Sequence, residues 1–370
     1  MAVKSFKYAD EKISDREVMV AIPSMVIGVG ILSLPKNLAT VTTASDGWIP
    51  LLLGGIIAVF MTWVVAKFAA GFPNQTFLTY ATTIVSRPIA IVLSFLFVVI
   101  FVSITALQVR EIAAISKQYI FDRTPLEVIA LAFLLVVLYG VSGSRAGLFR
   151  LNIMFLPIIL FVALIVFIFN IGWFEFGNLL PTFTTSFSGY TEALNTSVTS
   201  YLGFSILWFY IGLMDQPKKA PKLVALGMCI PVVLYLLLFI LCIGVFGQKV
   251  TANILYPTVE LAKVVDIPGG FFERFESVFF VIWIMAIFNT TAMALDVAVL
   301  VTTSIFKKTV KIKVLLILAP IVYLVSMFPQ DVTQISAFSS FIGNTTFIYT
   351  VFIAVLLIVM AKARGVKRYG

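Results

Sequence analysis

The sequence has no histidine, two cysteines and few charged residues. Without imidazole it lacks the commonest metal ligand, the usual base of a Ser/His/Asp or Cys/His arrangement, and the side chain that titrates near neutral pH. No catalytic residue, metal site or cofactor is therefore expected, and an enzyme is the least favoured class. Cys229 and Cys242 share one apolar stretch, where helical rise separates them by roughly 20 Å, far beyond disulfide reach. They read as buried filler. Asp, Glu, Lys and Arg make up 12% of the 370 residues against 61% hydrophobic ones, a balance that the interior of no soluble domain can hide. The natural solvent for most of this surface is lipid. The formal charge of +9 does not indicate nucleic acid, because the basic residues flank hydrophobic runs and form no soluble basic domain.

What is present is a succession of uncharged apolar runs, each long enough to cross about 30 Å of hydrocarbon. Ten are read: Ser14–Pro35, Trp48–Ala70, Pro88–Lys117, Pro125–Val141, Leu148–Asn170, Thr191–Met214, Leu223–Phe246, Gly270–Phe306, Val314–Met327 and Gln334–Met360. Residues 1–370 then form one transmembrane domain, all α, with a short outer helix over Tyr256 to Val265. The first span opens on the capping pattern Ser14, Asp15, Arg16, Glu17. Alternating the spacers between the two sides leaves 19 of the 26 Lys and Arg on the side of the amino terminus and 7 on the other. Basic side chains stay cytoplasmic, so both termini are expected inside.

The first span carries Gly28-Val29-Gly30 near its midpoint and Pro35 beyond. Such a run either unwinds the helix beside a polar cavity or lets neighbouring helices pack closely. The chain also divides into halves of five spans, residues 14–170 and 191–360, and an odd number inverts the second half relative to the first. Inverted repeats bring their first helices together at mid-depth. The sixth span should then be broken as well, and it is unusually polar from Asn195 to Ser205, with Gly203 near its middle. Amides freed at such breaks suit a carboxylate and freed carbonyls suit an ammonium, a pocket for a zwitterion that needs no buried acid or base.

Gly28-Val29-Gly30-Ile31 followed by Pro35 resembles the first-helix signature of the amino acid, polyamine and organocation transporter superfamily. Asp46-Gly47-Trp48, Arg123-Thr124-Pro125, Leu202-Gly203 and Glu273-Arg274-Phe275-Glu276-Ser277 with Trp283 are similar, more specifically, to the B subunit of bacterial spore germinant receptors, the endospore germination permeases. The resemblance implies a ten-helix 5+5 inverted-repeat fold in the spore inner membrane, sensing a small nutrient beside an A subunit and a C lipoprotein. It also implies ligand contacts from four spans: Gly28, Val29 and Gly30; Tyr201, Leu202, Gly203 and Phe204; Ile100 or Ser103; and Asn289 and Thr290.

Several residues keep two readings. Asn289 and Thr290 either meet the ligand or make interhelical hydrogen bonds. Asp296, deep in the eighth span, either relays a proton or pairs with a basic side chain such as Arg16 or Arg150. Arg150 either stands where relatives hold sodium, as the resemblance implies, or anchors the inner membrane face. Arg110 and Glu111 approach the outer end of the third span, where they could gate a vestibule; about 100° apart on the helix, they are not expected to pair. Glu273 and Glu276 share a helix face that would receive a cation or an Arg from another segment, or form a solvated helix end. The leading function is a nutrient-sensing, permease-like receptor subunit. A proton-coupled amino acid transporter is the alternative, and a scaffold for partner subunits the third.

Overall fold

Ser14 accepts the N–H of Glu17 and the Glu17 carboxylate accepts the N–H of Ser14, so the capping box read from the sequence starts the first helix. The computed structural model describes residues 13–265, 275–306 and 309–366. Among them are α1 (Asp15–Val26), α2 (Gly30–Val41), α3 (Trp48–Ala69), α4 (Phe77–Ile84), α5 (Arg87–Tyr119), α6 (Leu126–Ser142) and α7 (Arg145–Asn170). Then follow α8 (Phe187–Ser200), α9 (Leu207–Tyr210), α10 (Ala220–Asn253), α11 (Pro257–Val264), α12 (Phe275–Ile305), α13 (Lys311–Ser326) and α14 (Val332–Ala363). There is no strand among the described residues beyond an isolated bridge between Ile13 and Met214.

Two spans are bent pairs. The first is α1 and α2, at 51° to each other, and the sixth is α8 with the stretch Leu202–Leu213, at 40°. Six helices are individually long and apolar enough to cross a membrane, and the shorter α6 and α13 complete the ten-span, 5+5 inverted-repeat arrangement. Phe60, Val92, Phe161, Leu316 and Phe341 are more than half exposed, the outward apolar surface expected of a chain solvated by lipid. Cys229 belongs to this exposed side, contrary to its reading as buried filler, because α10 has one face outside the bundle; Cys242 is buried. The seventh span was placed to end at Phe246. The chain kinks there because Gly247 takes φ +73°, a region open to glycine at little steric cost.

The ends of the two broken spans meet on the side of Ile13, where its N–H donates to Leu213 O at 3.2 Å and its carbonyl accepts from Asp215 N at 3.2 Å. Aromatic rings fill this half. Phe97 meets Phe209 edge to face at 5.0 Å, Phe72 stacks on Tyr80 at 5.0 Å, and the Tyr80 hydroxyl donates to Trp208 O at 2.8 Å.

On the opposite side, Asp46 fixes the α7–α8 linker. Its fully buried carboxylate accepts the N–H groups of Phe183 (2.6 Å), Thr184 (2.8 Å) and Thr185 (2.9 Å) and the Thr185 hydroxyl (2.8 Å). These bonds hold Phe183 at φ +60°, a conformation unfavourable for a bulky residue. Burial alone would push the Asp46 carboxyl up, but the four donors outweigh it and hold it below the usual carboxylate range. A lowered folded pKa supplies stability at neutral pH that is lost as pH falls through that value. Asp46→Ala is expected to loosen the linker by about 1.5–3 kcal/mol, the value of bonds to a charged acceptor. Amide hydrogen exchange at Thr184 and Thr185 checks this: fast in the variant at neutral pH, and fast in the parent only below the usual carboxylate range.

Candidate functional site

Pro23 lies in α1 and Pro35 in α2, and between the two helices Ile27 to Val29 run non-helically. The break was expected over Gly28 to Gly30; it starts and ends one residue earlier, with Gly30 as the first residue of α2. Freed carbonyls in low dielectric need donors. Tyr235 of α10 donates its hydroxyl to Val26 O at 2.7 Å, and Trp283 of α12 donates Nε1–H to Gly28 O at 3.3 Å. The Thr290 hydroxyl donates to Ser24 O at 2.9 Å. The amide side of the break is less covered. Val29 N–H reaches Gln108 Oε1 at 3.3 Å, and α2 has no side-chain cap.

The sixth span breaks at Tyr201 and continues as a 3-10 turn over Leu202–Ile206, so Gly203 is tightly wound instead of unwound. It abuts the first span. A Cβ at Gly203 would overlap Val26 Cγ2 and lie 3.3 Å from Val26 N.

Where the two breaks meet, a cavity of about 250 Å³ opens away from the aromatic-filled half. Of the residues singled out from the sequence, Gly28, Gly30, Leu202, Gly203 and Thr290 line it. A Cβ at Gly30 would have nothing within 4 Å, so this position faces open space. Val29 contributes its bond to Gln108. Tyr201 and Phe204 are buried off the wall, Tyr201 stacked on Tyr235 at 5.2 Å. Asn289 is buried and also off the wall, and its Nδ2 has no hydrogen-bond partner among the described residues. Thr290 does both things its alternatives proposed: it lines the cavity and bonds across helices.

Neither Ile100 nor Ser103 lines this cavity. The wall from α5 is Ile104, Leu107, Gln108 and Glu111, which starts one residue beyond Ser103 and runs about two turns further along. At 33 residues α5 is about 50 Å long, so the middle of its apolar run does not mark the depth of the break. A further wall, from α14, was not anticipated: Ser336, Ser339, Ser340, Gly343 and Asn344. Their spacing of i, i+3, i+4, i+7 and i+8 is one face of a helix, a signal present in the sequence. An acid, Glu111, also lines the cavity, although a zwitterion pocket between helix breaks needs none. Arg110, as expected, does not pair with Glu111; its guanidinium donates to Gln330 O at 3.1 Å.

Asp296 does not pair with Arg16 or Arg150. Arg145 Nε donates to its Oδ2 at 2.7 Å, Lys311 Nζ stands 3.6 Å from Oδ1, and the Tyr210 hydroxyl donates to Oδ2 at 2.9 Å. Arg145 opens α7, whereas Arg150 is exposed and reaches Glu17 at 3.9 Å. That exposed position fits the anchoring reading. Glu273 and Arg274 lie outside the described residues.

A ten-span membrane protein of inverted halves, with a small polar cavity where two broken helices cross and one side sealed, has the architecture of a secondary transporter. The chain is similar over its length to a nucleobase-cation-symport-1 family transporter, Mhp1, in a closed conformation with bromovinylhydantoin bound (TM-score 0.71, 14% identity, 95% of this chain and 78% of that one). It is also similar to a substrate-bound, outward-open Na+-coupled sialic acid symporter (TM-score 0.72, 12% identity, 96% of this chain and 81% of that one). By sequence the chain belongs to the spore germination protein family, whose model matches residues 12–335. It is 40% identical to the spore germination protein GerLB of Bacillus cereus over 343 residues, 92% of each chain.

Proposed function

We propose that this germination permease-like membrane protein is the nutrient-sensing subunit of a spore germinant receptor, binding a small nutrient in the cavity between its two broken spans. The cavity carries the reading: it joins an uncapped helix start at α2 to neutral hydroxyl and amide walls from α8 and α14, and its volume suits a small molecule. Within this reading residues 14–170 and 191–360 are the two repeats, both termini are cytoplasmic, and the membrane is the inner membrane of the spore. An A subunit and a C lipoprotein are the partners that the family suggests. The ligand acts by its differential affinity for two arrangements of the repeats.

Gly30→Phe tests the site. The Cβ position faces open space at the cavity wall, so a ring there would occupy the cavity. Spores carrying it are expected to lose the nutrient response while keeping parental amounts of the chain in the membrane. An unchanged nutrient dose response places the binding site elsewhere. A proton-coupled amino acid transporter is the second reading, favoured by the acid Glu111 on the wall; nutrient accumulation in vesicles driven by a pH gradient would establish it.

A further inference from the structure

Among the described residues, the acids that are fully or largely buried have partners. Asp46 takes four donors, Asp296 takes Arg145, Lys311 and Tyr210, and Glu17 caps α1. Half-buried Glu111 differs: among the described residues it has neither a hydrogen bond nor an ion pair, and it lines the cavity. It is the one ionisable side chain on that wall among the described residues. Its neighbour Arg110 is committed to Gln330 O at 3.1 Å. A carboxylate at the edge of a low-dielectric site, with no cation to meet among the described residues, is costly unless it takes a proton or an incoming group supplies the charge.

We infer that Glu111 is the counter-charge for a cationic group on the ligand, so that the cavity selects small molecules bearing an ammonium. The inference rests on the cavity reading above and deepens it. Glu111 lies one turn beyond Gln108, whose Oε1 accepts Val29 N–H at the start of α2. The cavity thus has a negative pole on α5 and, across Gln108, an uncapped helix start that favours an anion. The remaining polar wall, with Asn195, Thr199, Ser340 and Asn344, is neutral. An ammonium facing Glu111 and a carboxylate facing the first turn of α2 match both poles. A carboxylate without the ammonium can still face the start of α2 but leaves Glu111 without a counter-charge. This moves the ammonium from the freed backbone carbonyls of the breaks to a side chain of the third span.

The test uses the purified full chain in lipid nanodiscs, with equilibrium binding of L-alanine, L-valine, propionate and D-glucose. Propionate keeps the alanine skeleton without its ammonium. The parent is expected to bind one or both amino acids saturably and propionate and glucose at least tenfold more weakly. Glu111→Gln, which keeps the side-chain shape, is expected to weaken amino acid binding about 30-fold or more, the range for removing one partner of a desolvated charge pair. Three results overturn the inference: amino acid binding unchanged in Glu111→Gln, propionate or glucose bound as well as the amino acids, or no saturable binding of either amino acid. Gly30→Phe separates the two readings. If it abolishes binding and Glu111→Gln does not, the counter-charge fails and the cavity stands; if neither variant changes binding, both fail.

Discussion

Asp296→Ala is expected to destabilise the folded chain by roughly 3–5 kcal/mol, the cost of removing one partner from a buried ion pair. Its carboxylate is fully buried and joins four elements: α12, which bears it, α7 through Arg145, α13 through Lys311, and α9 through the Tyr210 hydroxyl. Removing it leaves the Arg145 guanidinium, 12% exposed, in a site shaped for an anion that is gone. Arg145→Ala should cost a similar amount for the reciprocal reason. The double variant should cost less than the two combined, because it removes both charges together. Thermal unfolding of the four proteins in one detergent closes this cycle. An Asp296→Ala protein that melts with the parent would show that the cluster contributes nothing to stability, and strictly additive costs would show that Asp296 and Arg145 do not act as a pair. Because α9 belongs to the second limb of the broken sixth span, on the proposed reading the nutrient response of spores should fail with the fold at temperatures where spores carrying the parent chain still respond.

Gly203→Val is expected to abolish the response. The glycine sits in a 3-10 turn against Val26, and any side chain there overlaps Val26 Cγ2 before a second carbon is added. Overpacking of this kind costs about 1–3 kcal/mol, and here the relief must come from driving the two broken spans apart. The contrast with Gly30 makes the effect diagnostic. Gly203→Ala should already raise the nutrient concentration needed for response by about tenfold, the equivalent of about 1.4 kcal/mol. Gly30→Ala should leave it near the parental value, since its methyl meets nothing within 4 Å. Equal dose responses for Gly203→Ala and the parent would mean that close approach of the breaks is dispensable.

Periodicity and composition carried the architecture further than the site. Lipid forbids unpaired backbone, so long apolar runs, the Gly-x-Gly of the first span and the polar sixth span had few folded alternatives. Depth along a helix was harder to read. With α5, α10 and α14 at 33, 34 and 32 residues, each exceeds the hydrocarbon thickness, and nothing local in the sequence states which turn lies level with the break. That is why Ile100 and Ser103 were expected where Gln108 and Glu111 stand. The serine face of α14 was legible as a pattern, but its partner across the bundle depends on tertiary packing. The ion partner of Asp296 depended likewise on where α7 begins, and Arg145 and Arg150 differ by only about one and a half turns.

The donors that satisfy the first break have a mechanical consequence. Tyr235, Trp283 and Thr290 belong to α10 and α12, so pulling α1 and α2 away from those helices would strand carbonyls where no water replaces the lost bonds. The first break is therefore riveted to α10 and α12, and parting it from them is the costlier movement. Slip is cheapest along the opposite boundary, where hydroxyl-lined α8 and α14 face the cavity and can trade protein partners for water or ligand. The molecule thus has a lubricated seam on one side of its cavity and a riveted one on the other, and on the proposed reading a ligand would act by wetting or drying the first.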